Sequence, residues 1–177
     1  MLASAAMTTL AHARATEITA WRVAALGALA AAAALAVALA SEHWIGLAPC
    51  ELCLWQRWPY WAAIAAGVLA LAVPRLAMPL AVLVIVLFLG NAALAAFHAG
   101  VEWGFWPSPL PGCGAGASGG AGSIDELMAR LQAAPIVRCD QPAIVVAGLS
   151  MAGWNAVFAL AVGVALVMFL RQPRRTA

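Results

Sequence analysis

The sequence predicts an all-α membrane protein, a four-transmembrane-helix bundle with a short amphipathic helix in its second outer loop. Three observations carry this. Of 177 residues, 66% are hydrophobic and 9% charged, whereas soluble domains run near about 45–50% and about 25%. So few polar side chains cannot cover a globule in water, which leaves an integral membrane protein as the class. Four apolar stretches, at residues 23–40, 54–73, 76–97 and 143–170, match or approach the roughly 20 residues that cross a bilayer. The charges are also distributed asymmetrically around those stretches.

The first stretch, 23–40, follows Arg14 and Arg22 and ends in Ala38-Leu39-Ala40. That pattern resembles a signal peptide, but the run exceeds the usual apolar core of about 7–15 residues, which favours a retained span. The second stretch begins among Trp55, Gln56, Arg57, Trp58 and Pro59. The third follows almost at once across Pro74 and Arg75, so the two form a tight antiparallel hairpin. The fourth closes the chain before Arg171, Arg174 and Arg175. Loops at about 41–53 and 99–142 then share one side, and residues 1–177 form a single domain.

All nine basic residues are arginine. Arg14, Arg22, Arg75, Arg171, Arg174 and Arg175 fall on the side of the termini, and Arg57, Arg130 and Arg138 on the other. The excess of cations near the termini predicts that both termini are cytoplasmic. Trp44, Trp55, Trp58, Trp61, Trp103 and Trp106 lie near the outer helix ends, as an interfacial aromatic belt requires.

All four cysteines then fall outside, where an even number points to disulfide chemistry. Two structural bridges are one reading. For Cys50 and Cys53 that reading is weak, because a bridge across two residues closes almost no loop. The pair is better suited to reactivity. Cys53 and Arg57 are four apart and share a helical face, and Cys53 lies near a helix N-terminus, where the dipole favours an anion. Both effects are expected to lower the Cys53 thiol pKa. Arg57 alone would read as a cation snorkelling to lipid headgroups; beside Cys53 it gains a functional role. His98 is expected to be interfacial, and Trp154 and Asn155 to pack or hydrogen-bond between helices.

In the second outer loop Cys113 precedes a flexible Gly/Ala/Ser tract, residues 114–122. Ser123 and Glu126 form a capping box, and Ile124, Leu127, Met128 and Leu131 make one apolar face. A short amphipathic helix on the membrane surface is expected there, holding the segment between Cys113 and Cys139.

The motifs "PCELCLWQR", "WPSPLPGC", "RCDQP" and "GLSMAGWN", in this order among four apolar stretches, resemble the DsbB family of bacterial inner-membrane thiol:quinone oxidoreductases. The resemblance runs from about Trp21 to Leu170. It implies a protein-dithiol:quinone oxidoreductase that reoxidises a DsbA-like periplasmic thiol oxidase and passes the electrons to the membrane quinone pool. It implies catalytic roles for Cys50, Cys53, Cys113 and Cys139, with Cys113 and Cys139 paired and Cys113 forming the mixed disulfide. The cofactor would be ubiquinone or menaquinone, held beside Cys53 and Arg57. Partners are the thiol oxidase, the quinone and the lipid bilayer; neither a metal nor nucleic acid is expected. Two alternatives are a DsbB-like oxidase dedicated to another thiol partner and a thiol-rich membrane metal-binding protein, since thiolates suit soft metals.

Overall fold

A computed structural model describes residues 2–110, 123 and 137–172, with side chains from residue 19 onward. Four α-helices appear among the described residues: α1 Leu2–His43, α2 Glu51–Ala72, α3 Ala77–Glu102 and α4 Met151–Arg171. A 3-10 turn, Pro74–Leu76, links α2 to α3. Val73 caps α2, and Pro74 cannot continue it because the ring removes a donor and clashes with the preceding turn. The tight hairpin expected between the second and third stretches is this turn.

Three segments are long and apolar enough to cross a membrane: Thr19–His43, Pro74–Glu102 and Met151–Arg171. Helix α2 has 22 residues, enough in length, but its first half carries Gln56, Arg57, Pro59 and Tyr60, which lowers its apolar character.

The fourth apolar stretch was expected to be helical from 143, and here the structure differs. Val145–Val146 and Leu149–Ser150 pair as an antiparallel hairpin. Ala147 and Gly148, at φ 51° and 81°, make the two-residue turn with positive φ at both centres that such hairpins favour. The helix starts only after Ser150, whose hydroxyl accepts the Gly153 N–H at 3.1 Å as an N-cap. Trp154 Nε1 donates to the Val146 carbonyl and ties the hairpin to α4. The predicted amphipathic helix, Cys113 and the Gly-rich tract lie outside the described residues, apart from Ser123.

The bundle core is made largely of alanine. Ala20, Ala24 and Ala31 of α1 meet Ala63, Ala66 and Ala70 of α2 and Ala77, Ala81 and Ala92 of α3, with Val84 and Phe88 filling the centre. Small side chains let helix backbones approach, which is how helices associate where lipid removes the hydrophobic drive. Gly67 shows the limit: a Cβ there would collide with Ala28 Cβ and stand 2.8 Å from the Ala24 carbonyl oxygen. Leu29 and Val37 of α1, Val68 and Leu71 of α2, Val86 of α3 and Leu160 and Met168 of α4 are all exposed. Apolar side chains on the outer as well as the inner helix faces mark a bundle wrapped in lipid.

Candidate functional site

The site forms where the C-terminal ends of α1 and α3 meet the N-terminal ends of α2 and α4. Cys50 is the N-cap of α2, with extended backbone, and its Sγ accepts the Cys53 N–H at 3.2 Å. This geometry turns the thiol back over the first helical turn, so Cys50 Sγ and Cys53 Sγ stand 2.9 Å apart as free thiols. Cys50 is buried and Cys53 half-buried.

The two sulfurs do not share charge equally. The thiol of Cys50 is lowered from an ordinary 9.0 to about 5. The largest cause is the hydrogen bond from the Cys53 thiol; burial opposes it, and His98 and the Cys53 backbone N–H add to the lowering. Cys53 is pushed upward, first by donating to Cys50 and then by burial. Within this arrangement Cys50, and not the Cys53 expected from spacing, is the sulfur whose thiol is favoured as the anion. The N-cap position gives Cys50 the backbone donor, and one proton between two sulfurs stays on its neighbour.

His98, expected at the interface, is instead 1% exposed. It comes from the last turns of α3, and its Nε2 lies 3.5 Å from Cys50 Sγ. Gln56 Nε2 is 2.6 Å from His98 Nδ1. Asn155 of α4 donates from Nδ2 to Gln56 Oε1 at 2.6 Å, and the Tyr60 hydroxyl donates to Asn155 Oδ1 at 2.5 Å. One hydrogen-bonded chain thus runs from the sulfurs through α3, α2 and α4. Asn155 bonds between helices as its position in the last span implied. One turn beyond His98, Glu102 has a side chain 5% exposed and Oε1 3.8 Å from His98 Nε2. Its Oε2 has no hydrogen-bond partner.

Arg57 Nη2 donates to Glu42 Oε2 at 2.7 Å, joining α2 to the end of α1. Cys53 and Arg57 both line a cavity of about 750 Å³ that is also walled by Ala34, Leu35, His98, Trp154 and Phe158. Cys139 is fully buried and disulfide-bonded. It packs in a small apolar cluster with Cys50, Leu52 and Val101. The structure therefore brings three of the four cysteines and Arg57 to one end of the bundle, while Cys113 is outside the described residues.

Glu42 and Glu102 belong to no motif that marks them in the sequence. The spacing of His98 and Glu102 by four, at the end of an otherwise apolar helix, was the available signal, since residues four apart share a face.

The family model for disulfide bond formation protein DsbB matches residues 20–169. A protein described as disulfide bond formation protein B, from Polaromonas sp. strain JS666, is 31% identical over 162 residues, covering 87% of this chain and 93% of its own. A second relative, uncharacterized protein RP370 of Rickettsia prowazekii, is 30% identical over 138 residues, 77% of each chain. No solved structure matches. With three helices able to cross a membrane and a family match from the middle of α1 to the end of α4, the chain is a multi-pass membrane protein belonging to the DsbB family.

Proposed function

We propose that this protein reoxidises a DsbA-like periplasmic thiol oxidase and passes two electrons through two cysteine pairs to a membrane quinone. The observation that carries the reading is the Cys50–Cys53 dithiol, set on the wall of a cavity with Arg57 and packed beside the disulfide-bonded Cys139. The partner's dithiol attacks a Cys113–Cys139 disulfide and leaves as a disulfide, so Cys113 and Cys139 gain two electrons and two protons. Cys139, freed next to Cys50, attacks the Cys50–Cys53 disulfide to give a Cys139–Cys50 mixed disulfide and a free Cys53; Cys113 then attacks Cys139, which restores the Cys113–Cys139 disulfide and leaves Cys50 and Cys53 as the dithiol. The resulting dithiol holds its charge on Cys50 and its proton on Cys53.

The cavity fits a quinone by its chemistry. Apolar walls from α1 and α4 suit a ring and an isoprenoid chain, and the Arg57 guanidinium suits a carbonyl oxygen. Bound there, ubiquinone or menaquinone supplies a two-electron, two-proton acceptor. Arg57, held by Glu42, stabilises negative charge developing at the cavity wall. His98, on the hydrogen-bonded chain from Gln56, stands with Nε2 3.5 Å from Cys50 Sγ, where it stabilises the charge on that sulfur.

In this reading α2 crosses the membrane from about residue 54 and makes the fourth span of a single domain. Both termini face the cytoplasm, the cysteines face the periplasm, and the membrane is the bacterial inner membrane. Exposed Trp44, Trp55, Trp58, Trp61, Trp103, Trp106 and Trp154 surround the cysteine end of the bundle, consistent with a membrane-interface belt there.

The test is anaerobic mixing of the purified protein with a reduced DsbA-like oxidase and a soluble quinone, followed by quinone absorbance. Catalytic loss of quinone in proportion to partner thiols is expected. Partner thiols that remain reduced while quinone is untouched would reject the reading; oxidation of a different thiol protein instead would reassign the partner.

A further inference from the structure

One amide side chain of α4 sets the direction of the hydrogen bonds behind the thiol pair. Asn155 reaches between Gln56 and Tyr60, which are four apart and share one face of α2. Its Nδ2 donates to Gln56 Oε1 at 2.6 Å, and its Oδ1 accepts the Tyr60 hydroxyl at 2.5 Å. With Gln56 Oε1 engaged, Gln56 Nε2 is the end that faces His98 Nδ1, 2.6 Å away. An amide nitrogen only donates, so Nδ1 is the bare nitrogen of the ring and the proton sits on Nε2. That nitrogen stands 3.5 Å from Cys50 Sγ.

The two ends of the chain of bonds agree on this direction. Tyr60 supplies an O–H donor at one end, and a Cys50 thiolate is an acceptor at the other. Turning both amides over would aim Gln56 Oε1 at Nδ1, move the ring proton there and leave the Nε2 lone pair opposite the sulfur. Gln56, Tyr60 and His98 are buried, at 5%, 4% and 1% exposure, so a lost partner is not cheaply replaced by solvent.

We infer that Asn155, backed by Tyr60, is a positioning residue for the thiol pair: it orients the Gln56 amide so that His98 keeps its proton on Nε2 and aims it at the Cys50 sulfur. The role rests on Cys50 and Cys53 working as the dithiol of the proposed reaction. The chain of bonds moves no electron. It selects the form of Cys50 that the site favours, because a hydrogen bond donated to a thiolate stabilises that form. Among the described residues, the groups around Cys50 Sγ are Cys53 from its own helix, His98 and Glu102 from α3, and the disulfide-bonded Cys139 from the segment before α4. Of these, His98 is the one whose donor face Asn155 governs.

Nitrogen-15 labelling of histidine in the reduced full chain carrying Cys113→Ser and Cys139→Ser tests this. The chain has three histidines, and the signals missing from a His98→Ala sample identify His98. In mildly alkaline buffer, where an ordinary imidazole is neutral, proton–nitrogen correlation spectra should show His98 as the Nε2–H tautomer. Asn155→Leu, similar in size and checked for helicity by circular dichroism, frees the Gln56 amide to turn. An Nδ1–H population should then appear, and the midpoint of the Cys50 thiolate absorbance should rise by about one pH unit, as expected when a hydrogen bond to a charged group is weakened. Tyr60→Phe keeps the ring and Asn155, should move both readouts the same way by less, and carries the test if Asn155→Leu does not fold. An Nδ1–H or doubly protonated His98 before any change at Asn155 would overturn the inference. So would either readout staying fixed in a folded Asn155→Leu protein, the result for an asparagine that only fills space. Neither readout involves quinone, so this failure is distinct from a failure of the proposed reaction, which quinone absorbance judges.

Discussion

The two ends of this bundle are built from different materials. At the cysteine end, Cys50, His98, Gln56, Asn155 and Tyr60 join α2, α3 and α4 through hydrogen bonds, and Arg57 and Glu42 join α2 to α1. Toward the opposite end, Ala24, Ala28, Ala66, Gly67 and Ala70 bring α1 and α2 together with hardly a polar atom. Directional bonds fix side chains to particular positions, which charge transfer needs. Close packing of small residues fixes the helices and is indifferent to chemistry. The difference implies that substitutions at one end change reactivity with little change in fold, and at the other end the reverse.

The largest effect is expected for Cys50→Ser. A serine hydroxyl remains a good N-cap, so the start of α2 is kept, while the pair loses the sulfur that carries the charge. Quinone reduction should be abolished with helicity by circular dichroism unchanged; loss of helicity would show that the cysteine end also holds the fold. Next comes Arg57→Ala, expected to slow quinone reduction at least about tenfold by removing a charge-stabilising donor. Exchange between the partner and Cys113–Cys139 should continue. Glu42→Gln should have a smaller effect in the same direction, since it loosens Arg57 without removing it. Equal rates in wild type and Arg57→Ala would detach the cation from the chemistry.

The contrast also explains what could be read without the structure. Apolar runs and the Pro74 break place α2, α3 and the tight joint between them because length and backbone sterics decide those features locally. The segment 143–150 misled because Ile144, Val145 and Val146 prolong the apolar run into α4. The Ala147-Gly148 turn and the Ser150 cap are subtler than the composition around them. Arg57 and the Cys50–Cys53 pair were legible from spacing along one helix. The burial of His98, its contact with a cysteine 48 residues away and the place of Glu102 were not, because they arise only when α3 packs on α2. Which sulfur bears the charge depends on Cys50 lying just outside the helix, a matter of one residue in a boundary.

At the packed end, Gly67→Leu should cost about 1–3 kcal/mol by overpacking against Ala24 and Ala28, read as a lower midpoint in thermal unfolding in detergent. Activity per folded molecule should be retained. Gly90→Ala, where an added Cβ meets nothing within 4 Å, should leave the midpoint unchanged or raise it slightly. A Gly67→Leu protein of full stability but reduced turnover would invert the division between the ends.

The smallest effect concerns pH. Because the Cys50 thiol is lowered in the folded chain, its thiolate is present above about 5 and is lost as pH falls through that value. Ultraviolet thiolate absorbance of the reduced Cys113→Ser/Cys139→Ser protein, taken as a difference against the same chain with Cys50→Ser, should titrate near 5. The rate of quinone reduction should fall only about twofold at that midpoint, where half the thiolate remains. A midpoint in the ordinary thiol range would remove the charge asymmetry between the sulfurs.

The most direct measurement is a single turnover. The Cys113→Ser/Cys139→Ser protein, reduced and mixed anaerobically with one equivalent of soluble quinone, isolates the Cys50–Cys53 pair from every other thiol. One quinone should be reduced per chain, both thiols should disappear together, and mass spectrometry of the digest should find Cys50 linked to Cys53. Quinone that stays oxidised while the pair stays reduced would contradict the account.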